Sequence, residues 1–585
     1  MGDAAVRQAV ALRPQTSDLL VSLDSFFESY YRLRPVNATF TGVHDFDDRL
    51  PDWSPEGLDA AGAEMASLRT ALQRAGPLTL GDDVLARRDW EQIDRALADA
   101  FLAIQLAEHE SGHFQTGNPS LAIGEALFGV ISLMTRPFAD LEWRMEHAAK
   151  RLAAIPTFLA GAERSWSTRG RETPVAWLVR ALRECEGGRK LFTTGIDRWL
   201  ASGDVTESLA VSVRRSADSA ANALLATAER LATQPTRDHE YGVGDAFFSL
   251  LLERGHCCTR TLAELRASAS SQLDSERRAL HEMARAASLG TWRDIQARLA
   301  NLHPEPEEFY GAFGETWRAC RTLAVRRQVV TWPEDWPIRY VPIPPWTRQA
   351  APHLYYLFYR SPAPFDKVAI HDYVVPAVED VEDEQSEERL LRTWNDAAIK
   401  LNHVVHHGAI GHHVQNYYAY QAASRIGQIA AVDCASRIAM FCGGTMAEGW
   451  ACYATSVMEE LGFLTEFESV SEQHTRVRLL TRAVVDLGLH CGELSVDTAT
   501  STFVDACGMS VEQARAEVTK ASMFPGTAMM YWLGLEQIQA LRAAHESALG
   551  NSFRLRAFHD EFLSFGSLPV AIIARLMPAS TGVAR

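Results

Sequence analysis

The stretch "NHVVHHGAIGHHVQNYY", residues 402–418, holds five histidines, His403, His406, His407, His412 and His413, and no acidic residue. Imidazoles this crowded suit a metal ion, because each neutral ring offers a nitrogen lone pair. At 100° per residue, His406 and His413 fall nearly on one helix face, while His403 and His407 make a pair one turn apart on a neighbouring stripe. His406 and His412 converge only on a bulged helix, and Gly408 and Gly411 permit that distortion. On local geometry the ligand set stays open, and an exposed polyhistidine face without metal is the competing reading.

Working outward, "AEGWACYATSVMEELGF" at 447–463 places Glu448 on a second predicted helix, the position from which a two-histidine, one-glutamate zinc site takes its third ligand. Upstream, 332–380 is rich in Pro, Tyr and Trp and contains the β-prone runs "LYYLFY" and "VAIHDYVV". Proline at that density forbids long helices, so a small β element is expected just before the histidine stretch. Residues 1–330 read as successive helices, among them 207–233 and 261–287, and helix returns from about 388 nearly to the end. The expected class is predominantly α. The chain divides into an N-terminal helical region (1–330), a Pro/aromatic-rich segment (331–387) and a C-terminal helical region (388–585) carrying the site.

A tidier zinc pattern, "HESGH" at 109–113, offers histidines one turn apart with a glutamate between them. Gly112 weakens that helix and "FQTGNP" ends it, leaving only a residue such as Glu125 as third ligand. A polar helix end is the better reading.

The net charge of −17 argues against nucleic acid or an anionic membrane surface as the main partner. No apolar run approaches the length that crosses a bilayer, and the start lacks a secretory pattern. Nine cysteines without a C-x-x-C pair read as reduced thiols, so a cytoplasmic protein is expected. A homo-oligomer is left open.

Taken in order, "HHGAIGHHVQ" (406–415), "EGWACY" (448–453), "DLGLH" (486–490), "PGTAMMYWLG" (525–534), "FHD" (558–560) and "GSLP" (566–569) resemble the bacterial Domain of Unknown Function 885 family. "RPVNATFTGVHDFDDRLPDWSPEGL" (34–58) looks like that family's opening, so the resemblance spans about 15–580 as one family domain. It implies a helical, gluzincin- or carboxypeptidase-Taq-like metallopeptidase fold with a divalent metal, zinc first and iron, manganese or nickel as alternatives. Carried over by position, His406, His412 and Glu448 look like the ligands; His413 is the geometric rival to His412. His403, His413, Gln415, Asp486, Arg482 and His559 are further candidates as ligands or supports around them.

Three positions depart from the family. Its glutamate, the general base, aligns with His407; its proline aligns with Ile410; and Lys520 stands where an arginine is expected. Losing a general base typically costs about 10² to 10⁴ in rate, so the change counts against peptide hydrolysis more than against metal binding. His407 can serve as a base, since imidazole titrates near neutrality, or become another ligand. Arg482, Asp486 and His490 recur every four residues and share a helix face. There Asp486 would orient His490 to donate to an oxyanion, unless the trio is a charge ladder around a satisfied histidine. Tyr531 resembles the tyrosine that assists such sites; His559 is as readily a helix cap as a catalytic group. The expectation is a metal-dependent enzyme acting on a small amide, peptide or amino-acid-like substrate, with chemistry diverted from peptide hydrolysis. The alternatives are an inactive pseudopeptidase that binds a ligand, and a biosynthetic lyase, cyclase or oxidative metalloenzyme.

Overall fold

Helix caps explain where the long helices begin. Thr261 accepts from the Glu264 backbone N–H while Glu264 answers the Thr261 backbone, and Leu262–Ala286 follows. Thr465 and Glu468 do the same for Glu466–His490. The stretch predicted at 207–233 forms Glu207–Leu231. The computed structural model describes residues 18–111, 113–168, 172–239, 241–287, 290–354, 361–432 and 437–579. It is predominantly helical, with 71% helix and 3% strand.

Three apolar cores organise these helices. The first joins Phe26, Tyr30 and Phe101 to Phe313, Val404, Ile410, Trp450 and Phe562. The second gathers residues 122–231 with Ile343 and Leu354. The third packs Leu265–Leu299 against Val470–Leu489 and Trp532. Residues before and after 330 therefore meet in every core.

The expected β element is present as β1 (Ile338–Pro342) and β2 (His371–Val375), paired in parallel with Tyr340 opposite Tyr373. Of the run "LYYLFY", residues 355–359 lie outside the described residues. The site is built from α1 (Ile399–Gly408), a π-helix, then α2 (His412–Ala419), α3 (Gly444–Glu460), α4 (Glu466–His490) and α5 (Met530–Leu549). The backbones of α3 and α5 cross in contact: a Cβ on Gly534 would lie 1.9 Å from Thr445 O and 2.9 Å from Gly449 Cα. Gly534→Ala is expected to cost on the order of 3 kcal/mol, read by urea denaturation. A midpoint equal to the parent's would show that the helices can part freely.

Burial pushes several imidazoles far down: His113 and His559 to about 3, His256 and His490 to about 4. The unfolded chain takes up these protons near pH 6.5, whereas the folded chain refuses them until about pH 4. Their stabilising contribution is complete above pH 6.5 and is lost as the pH falls. Each group removes on the order of 1.4 kcal/mol per pH unit across that window. Urea midpoints should fall steeply from pH 7 to pH 5; a flat profile would contradict the neutral burial.

Candidate metal centre

α1 is wound as a π-helix through ten residues, and the chain then breaks at Ala409–Gly411 before α2 begins at His412. The wide turn is visible in Ala409 N donating to Val404 O at 2.8 Å and Gly411 N donating to Val405 O at 2.9 Å. π-turns of this kind re-aim side chains at functional sites. Gly411 makes the break possible by close approach, since a Cβ there would sit 1.8 Å from His406 O. The interruption frees carbonyls that must find donors. Two indoles supply them: Trp317 Nε1 donates to Gly408 O at 2.9 Å, and Trp450 Nε1 donates to Ile410 O at 2.9 Å. Trp336 Nε1 adds a bond to His413 O at 3.1 Å, and Tyr340 Oη one to His403 O at 3.1 Å. Trp450 follows Glu448 on α3, so one helix both braces the break and presents the carboxylate to it.

The break brings His406, His407 and His412 together, with a nitrogen from each within 4.8 Å of the others. Glu448 Oε2 lies 3.5 Å from His412 Nε2 and 3.7 Å from His406 Nε2. Burial acts to raise the Glu448 carboxyl, but His412 and His406 override it and hold the group well below its ordinary value. Burial, and then the neighbouring imidazoles, push His407 well down and keep it neutral. Its Nδ1–H donates to Asn402 O at 2.8 Å, which leaves the lone pair on Nε2. Three imidazoles and an ionised carboxylate form a donor set that suits a divalent cation.

The other histidines turn elsewhere. His413 Nε2 donates to Trp336 O at 2.9 Å, and His403 pairs through Nδ1 with Tyr373 Oη at 2.8 Å while stacking on Trp394 at 3.9 Å. Gln415 Nε2 donates to Ser567 Oγ at 2.5 Å, tying α2 to the "GSLP" turn. His559 sits fully buried between Val329 O, to which Nδ1 donates at 2.7 Å, and Tyr453 Oη at 2.9 Å from Nε2.

The ladder on α4 resolves into separate contacts. Arg482 grips Glu517 in a bidentate pair at 2.7 and 3.0 Å and lies over the Tyr531 ring at 5.6 Å. Asp486 accepts from Gly526 N at 3.1 Å and Met529 N at 3.0 Å, securing the turn that leads into Tyr531. Burial raises its carboxyl to about 7 against those amides. His490 Nε2 donates to Ala521 O at 2.9 Å and stands 3.6 Å from Asp486, so Asp486 does not hold it by a hydrogen bond. Tyr531, Arg482 and Glu448 line one small cavity, with Lys520 and Glu517 on its wall. In "HESGH", His109 faces Asp59 at 3.4 Å while His113 donates through Nε2 to Ser522 O at 2.9 Å. The two rings face different partners, and Gly112 lies outside the described residues.

The bonds from Trp317, Trp336 and Trp450 to the backbone around the break are set by the tertiary fold and are not legible in the sequence. The sequence shows only tryptophans at 317, 332 and 336 beside a glycine-broken helix.

The fold and site define a predominantly helical protein with a histidine–glutamate cluster at an interrupted helix. The chain belongs to the family described as bacterial protein of unknown function (DUF885), whose model matches residues 35–577. No curated protein matches it. A candidate lipoprotein from Colwellia psychrerythraea superposes with a TM-score of 0.77 at 19% identity, covering 96% of this chain and 98% of its own. A candidate lipoprotein of unknown function from Shewanella oneidensis gives 0.73 at 19% identity, covering 96% of this chain and 100% of its own. At that identity these neighbours speak to the fold alone.

Proposed function

We propose that this protein is a divalent-metal enzyme on a zinc-peptidase-like scaffold, acting on a small amide, peptide or amino-acid-like compound, with its chemistry diverted from peptide hydrolysis. The observation that carries the reading is the convergence of His406, His407 and His412 on one another and of Glu448 on two of them. His406, His412 and Glu448 would hold the ion, with zinc the first expectation. A bound divalent cation supplies positive charge that polarises a carbonyl and acidifies water. His407 meets the group with Nε2, because Asn402 O occupies its Nδ1–H, and this supports a fourth ligand rather than a base. Three nitrogens and one carboxylate close a tetrahedral site but leave positions open on a six-coordinate ion, which supports iron, manganese or nickel as alternatives. Tyr531, which lines the same cavity as Glu448, would donate to a substrate oxygen. The eight described cysteines are free and mostly buried, which supports a reducing, cytoplasmic setting.

The competing reading is a pseudopeptidase that keeps the cleft and binds without turnover, favoured by the histidine at the base position. Metal-loaded and chelator-treated protein, incubated with a panel of dipeptides and small amides and followed by mass spectrometry, separates them. Metal-dependent product supports the enzyme; bound metal with every compound unchanged supports the pseudopeptidase.

A further inference from the structure

A second, larger cavity of about 480 Å³ lies among the N-terminal helices and shares Met440 and Phe524 with the wall of the Glu448–Tyr531 cavity. Its size is in the range of ligand pockets. Phe40, Trp53 and Phe128 give it apolar walls, while exposed Arg32 and Asp52 stand among its lining.

Most charges around it are matched. Arg32 pairs with Glu64, Arg437 with Glu108, Glu184 with Arg180, and His109 with Asp59. Two are not. Arg34 is fixed by Nη2, which donates to Gln105 Oε1 at 2.7 Å, and by the rings of Tyr30 and Phe101, each 5.2 Å from its guanidinium carbon. Its Nε and Nη1 make no hydrogen bond among the described residues, and it has no ion pair there. The Glu125 carboxyl likewise has neither a hydrogen bond nor an ion pair among the described residues, although Arg34 and Arg151 lie near enough to favour its charged form. Burial lifts that carboxyl to about 7. Two opposite charges facing one chamber without touching are costly unless something between them satisfies both.

We propose that this chamber binds a small zwitterion, an amino acid or peptide end, with Arg34 taking the carboxylate, Glu125 the ammonium and the aromatic wall the side chain. The unspent N–H donors on Arg34 Nε and Nη1 can make charge-assisted hydrogen bonds to a carboxylate. The proposal deepens the metalloenzyme reading, because Met440 and Phe524 wall both the chamber and the cavity of Glu448, which sets a substrate held by its charged end next to the metal centre's side of the protein.

Chelator-treated protein lets the two readings fail separately. Calorimetric titration with L-phenylalanine, L-leucine and L-leucyl-L-phenylalanine is expected to show binding of at least one of them. Its N-acetyl and C-amide derivatives should each bind about tenfold more weakly or worse, because each strands one buried charge. Glu125→Gln should erase the penalty for N-acetylation while leaving that for amidation. Gly124→Leu tests the location without disturbing a charge: a Cβ there meets nothing within 4 Å, so the side chain fills the chamber and binding should be lost. Equal binding of free and blocked compounds, no binding by any of the three, or binding that requires the metal overturns the proposal.

Discussion

Freshly purified protein is expected to carry about one transition-metal ion per chain, and His406→Ala or Glu448→Ala to lose it almost completely. The geometry sets the pattern across the five histidines. Glu448 Oε2 is shared by His412 and His406 at 3.5 and 3.7 Å, so removing a histidine takes away a donor and leaves the buried carboxylate short of a partner, and removing Glu448 takes away the one carboxylate donor. His413 donates to Trp336 O and His403 stacks on Trp394, so His413→Ala and His403→Ala should keep metal content near that of the parent. Trp450→Phe is expected to weaken binding by about 10- to 100-fold, since the Ile410 carbonyl then loses its donor and the break loosens. Elemental analysis with chelator competition reads all five variants. Metal-free parent protein, or a His413→Ala loss equal to that of His406→Ala, would refute the assigned centre.

The second large effect is a gain. His407→Glu places a carboxylate where the proposed peptidase-like reading expects a general base, and it withdraws one imidazole from the cluster. A general base contributes about 10² to 10⁴ in rate, so the variant should hydrolyse dipeptides that the parent leaves intact by at least the lower figure. His407 is half-buried, donates through Nδ1 to Asn402 O and packs against the His406 and His412 rings, and these are contacts the exchange removes. Were the variant to retain its metal and still show no hydrolysis, the diversion would have to lie elsewhere in the cavity, with Lys520 beside Tyr531 the next position to exchange.

The long helices were legible because their signals are local. Thr261 with Glu264 and Thr465 with Glu468 begin helices through groups three residues apart, and apolar spacing carries them onward. β2 was legible in "VAIHDYVV" for the same reason. The i,i+4 placement of Arg482, Asp486 and His490 on one face was also readable, but their tasks were not. Glu517, the Gly526 and Met529 amides, and Ala521 O each claim one of them from distant turns.

By itself, then, the sequence determined that this protein is helical, that a short β element precedes a glycine-broken run of histidines, and that Glu448 follows on a second helix. Those properties depend on neighbours within a few residues. Which imidazoles face one another was decided only in three dimensions. A histidine's usable lone pair lies opposite its hydrogen-bond partner, and those partners include Trp336 for His413 and Tyr373 for His403. The chamber between Arg34 and Glu125 belongs to the same category, because an unmatched charge is defined by what fails to reach it across the folded chain.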